Sequence, residues 1–197
     1  MYKVRDSLAE IEYNNKKSDR LFLIMMAVVI ALAILLSIIF NTYLFFVKVD
    51  GSSMLNTFVS GETVVVNKTK SVNRGDVVII DKGSYLIIKR AIALEGDKVR
   101  IEDGKVYLTI SGEQEVLLEE TYVKEQNSTY TSGKTQWTVG KGQVFYMGDN
   151  RVYSRDARQE GCCKTEEIIG VVTPFSIQIK SITTTLFGIF GVNTATE

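Results

Sequence analysis

The longest uniform stretch in the chain is apolar: Leu21–Phe40 carries no charge and one hydroxyl, Ser37. As a helix at ~1.5 Å per residue it would cover ~30 Å, the thickness of a bilayer core. Asn41, Tyr43, Phe45 and Phe46 follow as an interfacial belt would, and Lys48 marks the exit. The pattern predicts one transmembrane helix over residues 21–47. A cleaved leader would have an apolar core of ~7–15 residues and a small-residue exit. This core is longer and its exit is aromatic, so the segment reads as an uncleaved anchor. Lys16, Lys17 and Arg20 outweigh the lone Lys48, which puts residues 1–20 in the cytoplasm and everything after 47 outside a single-pass cell membrane span.

Beyond the anchor the period changes. Glu62–Asn67 and Asp76–Asp81 are short and β-branched, Tyr85–Ala93 is apolar except for Lys89 and Arg90, and Gln143–Met147 and Ile168–Ile179 read as further strands. Val99–Ile110 alternates around Asp103-Gly104, a two-residue hairpin signal of type I′. No segment after the anchor keeps a helical period for three turns. An all-β extracytoplasmic domain over residues 48–184 follows, with a C-terminal tail at 185–197. Residues 112–141 are rich in Gly, Ser, Thr, Gln and Lys around the single Trp137 and read as a polar excursion or loose hairpin. The apolar piece Thr185–Val192 is too short to span a bilayer, and would pack on the domain or touch the membrane interface.

Composition narrows the chemistry. Lys plus Arg number 23, as do Asp plus Glu, so the basic excess of a nucleic-acid binder is missing. There is no histidine, which removes His-containing zinc sites, and two cysteines cannot complete a thiolate site. No metal and no cofactor are called for. Cys162 and Cys163 are neighbours, and bridging them would close a strained ring, so they read as free thiols.

Candidate chemistry starts where the anchor ends, at Val49-Asp50-Gly51-Ser52-Ser53-Met54. A serine nucleophile in a chain without histidine needs another base, and lysine is the realistic choice. Most lysines sit in polar settings, whereas Lys89 follows Leu86-Ile87-Ile88 and precedes Ala91-Ile92-Ala93-Leu94. Strand alternation puts Ile87, Lys89 and Ala91 on one face and Ile88, Arg90 and Ile92 on the other. A free lysine has a pKa near ~10.4, so its neutral form at pH 7 costs ~4.6 kcal/mol. Burial can lower a lysine pKa by several units, which removes that cost. Snorkelling along the sheet or pairing with a carboxylate is the competing reading of Lys89.

Four blocks in this order resemble one family: Val49 to Met54, then Gly75-Asp76-Val77-Val78, then Ile88-Lys89-Arg90 with Gly96-Asp97, then Gly148-Asp149-Asn150 through Arg158. The chain is similar to type I signal peptidases of the single-anchor bacterial kind over roughly residues 20–180. The resemblance implies a membrane-anchored serine endopeptidase that acts on preprotein signal peptides, cutting after Ala-x-Ala. It implies Ser53 as nucleophile, Lys89 as general base, and Ser154 as the hydroxyl that orients Lys89. Arg90 would pair with Asp149 and Asp156 with Arg158, as braces. Val49, Phe58 and Ile88 match positions lining the small substrate pockets, and the Ser53 amide would serve the oxyanion.

The departures are specific. The family usually has Met-x-Pro-Thr-Leu where this chain has Met54-Leu55-Asn56-Thr57-Phe58, and Leu-Pro-Gly-Asp where it has Leu94-Glu95-Gly96-Asp97. Asp-Ser-Arg is replaced by Asp156-Ala157-Arg158, and Gly51 stands where some members place a serine. Loss of the proline predicts a looser turn around Ser53, and Phe58 a narrower pocket. Two other readings stand beside the peptidase: an accessory protein of export or pilus-assembly machinery that binds without cleaving, and an anchored β module for surface binding. Membrane lipid is a partner in all three.

Overall fold

The computed structural model describes residues 2–178 and 193–195, with side chains for residues 17–176. Its first element is the helix α1, Tyr2–Tyr43, within which Lys17–Tyr43 is long and apolar enough to cross a membrane. Leu23, Ile24 and Val28 are 64%, 60% and 61% exposed, the reverse of a helix in a soluble core. Such a surface fits an apolar surrounding. The helix stops at Tyr43, next to Thr42, whose Oγ1 donates back to the Ile38 carbonyl at 2.8 Å.

Residues 44–47, expected to finish the anchor, belong instead to strand β1, Leu44–Val49. The boundary moves because aromatic and β-branched residues here find partners in β2, Thr63–Asn67, with Phe46 opposite Val65 and Val47 opposite Val64. The chain divides into two compact units at this same junction.

The second unit is sheet-rich. After β2 come β3, Val77–Asp81, and β4, Leu86–Leu94. The hairpin β5, Lys98–Glu102, and β6, Lys105–Thr109, turns at Asp103 and Gly104, with φ of 50° and 74° as a type I′ turn requires. The short strands β7, Glu115–Leu117, and β8, Gln136–Thr138, flank this hairpin in a four-stranded sheet ordered β7-β6-β5-β8. The polar excursion of residues 112–141 is therefore not a loose hairpin. It adds two edge strands, and its Trp137 tilts against Phe145 with ring centroids 5.1 Å apart.

Strand β9, Gln143–Met147, is followed by a 3-10 turn at Arg151–Tyr153 and a short helix α2, Ala157–Glu160. Then come β10, Cys163–Lys164, β11, Ile168–Val172, and the helix α3, Pro174–Gln178. The single long strand expected from Ile168 to Ile179 ends early because Pro174 opens a helix, where its missing N–H costs nothing. The last described element is β12, Asn193–Ala195. The expected apolar contact of Thr185–Val192 lies outside the described residues. Cys162 and Cys163 are free thiols, and burial pushes the Cys163 thiol up to about 12.

The larger sheet runs β10-β9-β4-β12-β1-β2-β11-β3, and β3 returns to pair with β4, so six of its strands close on themselves. Alternation divides the core accordingly. Val78, Ile80, Ile87 and Ala91 pack with Val99, Ile101, Val106 and Leu108 of the smaller sheet. Val47, Val49, Val64, Val66, Val77, Ile79 and Ile88 pack on the opposite face. β4 is buried on both faces, which is why its sequence reads as a nearly continuous apolar run.

The hairpin turn also anchors the excursion: the Thr129 amide donates to the Gly104 carbonyl at 3.0 Å. A Cβ at Gly104 would overlap the Asn127 carbonyl oxygen, and the positive φ disfavours any L side chain. Gly104→Ala should therefore destabilise the protein by at least ~2 kcal/mol, read as a shift in chemical unfolding of the detergent-solubilised chain.

Candidate active site

The loop between β1 and β2 carries the serine pair. Gly51 turns the backbone at φ 94°, and the Leu55 amide donates to the Ser52 carbonyl at 3.0 Å. The Thr57 and Phe58 amides both donate to the Met54 carbonyl, at 3.0 and 2.8 Å, and wind the segment into a compact turn. Its base is closed by the Val49 amide donating to the Glu62 carbonyl at 2.7 Å and by the Gly61 amide donating to Val49 at 2.8 Å. Ser53 is buried in this turn while Ser52 is half-exposed.

Asn150 holds the same two residues from the other side. Its amide donates to the Ser53 carbonyl at 2.9 Å and its Nδ2 to the Ser52 carbonyl at 3.0 Å. This approach needs Gly148: a Cβ there would lie 2.6 Å from the Ser53 carbonyl oxygen and collide with the Ser154 hydroxyl. Ser53 and Ser154 are thus brought against one glycine. Sequence reasoning gave Asn150 no role, although its place inside the Gly148–Arg158 block was the available signal.

Lys89 is 1% exposed in β4, opposite Val78 of β3 and on the face of Ile87 and Ala91. One edge of β4 pairs with β3 from Leu86 to Arg90. The other edge pairs with β9 from Arg90 onward and, among the described residues, meets β12 at Leu86. Lys89 falls between the described pairings at Leu86 and Arg90 on that edge.

The braces form around it. Arg90 Nε and Nη2 donate to the two Asp149 oxygens at 2.8 and 2.5 Å, and its Nη1 to the Gly75 carbonyl at 2.7 Å. The Thr57 hydroxyl donates to Asp149 Oδ2 and accepts from Arg90 Nη2 at 3.1 Å, joining the serine turn to the ion pair. The ring of Tyr122 lies 3.9 Å from the Arg90 guanidinium carbon. Burial, then the nearby Glu120 carboxylate, pushes the Tyr122 phenol up and keeps it protonated.

Asp156 accepts from Arg158 Nε at 2.8 Å, from the Ser154 hydroxyl at 2.8 Å and from the Gly148 amide at 3.0 Å, while capping α2. A hydroxyl that donates to Asp156 keeps its lone pairs for a further donor. Arg151, unassigned from sequence, is buried and pairs with Glu120 and Thr129 of the excursion. Val49, Phe58 and Ile88, expected to line one substrate pocket, share one apolar cluster with Met54. The candidate site residues thus fall on the serine turn, on β1, on β4, or in the segment after β9, while Gly75 to Val78 lead into and form the start of β3 and Gly96-Asp97 form the turn after β4. Thr57, Tyr122, Glu120 and Arg151 were missed because partners of each are distant in sequence.

The family profile described as signal peptidase, peptidase S26, matches residues 20–176. Signal peptidase I U of Bacillus subtilis is 34% identical over 155 residues, covering 73% of this chain and 82% of that protein. Signal peptidase I of Bacillus licheniformis is 34% identical over 163 residues, covering 75% of this chain and 83% of the other. A solved signal peptidase I from Enterococcus faecalis shares 28% identity at a TM-score of 0.44, covering 53% of this chain and 98% of that one. With the profile spanning the anchor's apolar run, the serine turn, β4 and the segment after β9, the chain belongs to the signal peptidase family, peptidase S26, and is a serine peptidase.

Proposed function

We propose that this protein is a membrane-anchored endopeptidase that removes signal peptides from exported preproteins with a Ser53–Lys89 pair. The observation that carries the reading is the burial of both side chains, Ser53 beside Ser154 at Gly148 and Lys89 within β4, in a chain with no histidine to serve as base. Lys89 Nζ takes the proton of Ser53 Oγ as that oxygen bonds to the scissile carbonyl carbon. The Ser53 amide donates to the oxyanion, a contact of a type worth ~2.7–4 kcal/mol. The lysine ammonium then protonates the leaving amine; in deacylation Lys89 takes a proton from the attacking water and returns it to Ser53 Oγ as the acyl–oxygen bond breaks, releasing the cleaved signal peptide as a carboxylic acid. Ser154, fixed by Asp156, orients the amine. Arg90 with Asp149 and Asp156 with Arg158 brace the site without reacting.

Substrate geometry has its own support. β1 ends at Val49, four residues before Ser53, and β4 carries Ile88 and Lys89. The gap between these strands is bridged by β12, with Val49 opposite Ala195 and Leu86 also opposite Ala195, both in parallel register. This slot holds an extended segment by main-chain hydrogen bonds, the mode by which sheet edges take up peptides. The cleavage region of a preprotein would lie in the same place, with small residues against Val49, Phe58 and Ile88. The excess of basic residues before Leu21 orients the sheet-rich unit to the outer side of the membrane.

Ser53→Ala and Lys89→Ala should each abolish cleavage of a preprotein, and the double variant should be no worse than either. Lys89→Arg should also be inactive, because a guanidinium stays protonated. Ser52→Ala should keep substantial activity. Mapping the new N-terminus of the product for each variant decides the assignment; an active Lys89→Arg enzyme would overturn it. Protease added to intact protoplasts should degrade the sheet-rich unit, and full protection would reverse the proposed topology. Deleting residues 193–197 should lower KM for a preprotein at unchanged kcat, since the slot between β1 and β4 is then vacant; steady-state kinetics on the truncated chain measure this.

A further inference from the structure

The turn that carries Ser53 is held in an unusual way. Asn56 adopts φ 91°, whereas a proline ring fixes φ near −65°. The backbone here is therefore not the one a proline would give. A non-glycine residue at such a φ persists only where its surroundings over-determine it. Two contacts do so. Asn56 Nδ2 donates to the Tyr122 carbonyl at 3.0 Å, across 66 residues of chain. The next residue, Thr57, is locked to Arg90 and Asp149.

Tyr122 stands on both sides of this arrangement. Its carbonyl accepts from Asn56, and its ring packs against the Arg90 guanidinium at 3.9 Å. The segment around it is itself pinned. The Tyr122 hydroxyl donates to Glu120 at 3.0 Å, Glu120 pairs with Arg151, and the Lys124 amide donates to the Asp149 carbonyl at 3.2 Å. The excursion of residues 112–141 thus reaches the serine turn through Tyr122.

We propose that Asn56 and Tyr122 form a positioning pair: a side-chain tether to the Tyr122 carbonyl, backed by its ring on Arg90, sets the turn that aims Ser53 at Lys89. The inference rests on Ser53 being the nucleophile. The tether takes the place of a ring-locked backbone, so the turn is conditional on the excursion being folded against it. A misplacement of about 1 Å at a reacting atom is enough to cost on the order of a hundredfold in rate.

The test is steady-state kinetics on a preprotein, with thermal unfolding beside it. Asn56→Gly keeps the positive φ and removes the donor; it should lower kcat about tenfold, with KM nearly unchanged and the melting temperature preserved. Tyr122→Leu should lower kcat at least as much, and Tyr122→Phe, which keeps ring and carbonyl, should restore it. The double variant Asn56→Gly with Tyr122→Leu should lose less than the product of the two single losses, because the pair acts on one turn. Full kcat in Asn56→Gly, multiplicative losses, or a fall in kcat that tracks the melting temperature across the variants would overturn the proposal. Residual cleavage by Ser53→Ala, run in parallel, would instead remove the reading on which it rests.

Discussion

The buried ion pair between Arg90 and Asp149 is the constraint on which the rest of the site depends. Two charges taken out of water need near-complete compensation, and breaking such a pair typically costs ~3–5 kcal/mol. Here the compensation is full on both sides: two parallel hydrogen bonds between the partners, the Gly75 carbonyl on the arginine, and the Thr57 hydroxyl shared by both. Those partners come from the loop before β3, from β4, from the serine turn and from the segment after β9. Satisfying the charges therefore fixes four separate pieces of chain at once.

That requirement has a consequence for the neighbours of the pair. Arg90 can be held this way only if β4 is central, and a central β4 leaves Lys89 under cover. Asp149 can be held only if the segment after β9 lies against the serine turn. Gly148 permits that approach and Asn150 completes it through the Ser52 and Ser53 carbonyls. The proposed reactive groups are thus placed by the residues proposed as braces, the arrangement expected of a preorganised site.

The departures from the family pattern are each met by a contact in the fold. Where a proline is usual, Asn56 takes a positive φ and its side chain is tied to the Tyr122 carbonyl. Glu95, also in place of a proline, accepts the Gly142 amide at 2.8 Å. Ala157, in place of a serine, is fully buried at the start of α2, where Asp156 supplies the cap. Phe58 is buried with Val49, Met54 and Ile88, so its bulk is accommodated by the apolar cluster it joins.

The sequence by itself determined the helix over the uncharged run, the strands β2, β3, β4 and β9, and the type I′ hairpin turn at Asp103-Gly104, while Ser53 and Lys89 were named by motif resemblance. Each of these is a local property: a period, a turn chemistry, or a charge surrounded by apolar neighbours. It could also place the Arg90 and Asp149 blocks, because they stand in ordered motifs. Tertiary structure alone decided that the anchor's last residues become β1, since only pairing with β2 distinguishes an interfacial aromatic from a strand aromatic. It alone gave the polar excursion its purpose, because Glu120, Tyr122 and Thr129 act on Arg151, Arg90 and Asn56 from far away in the chain. A hydrogen bond to a carbonyl or a ring over a guanidinium leaves no period and no motif in the sequence; it exists only once the distant segments are folded together.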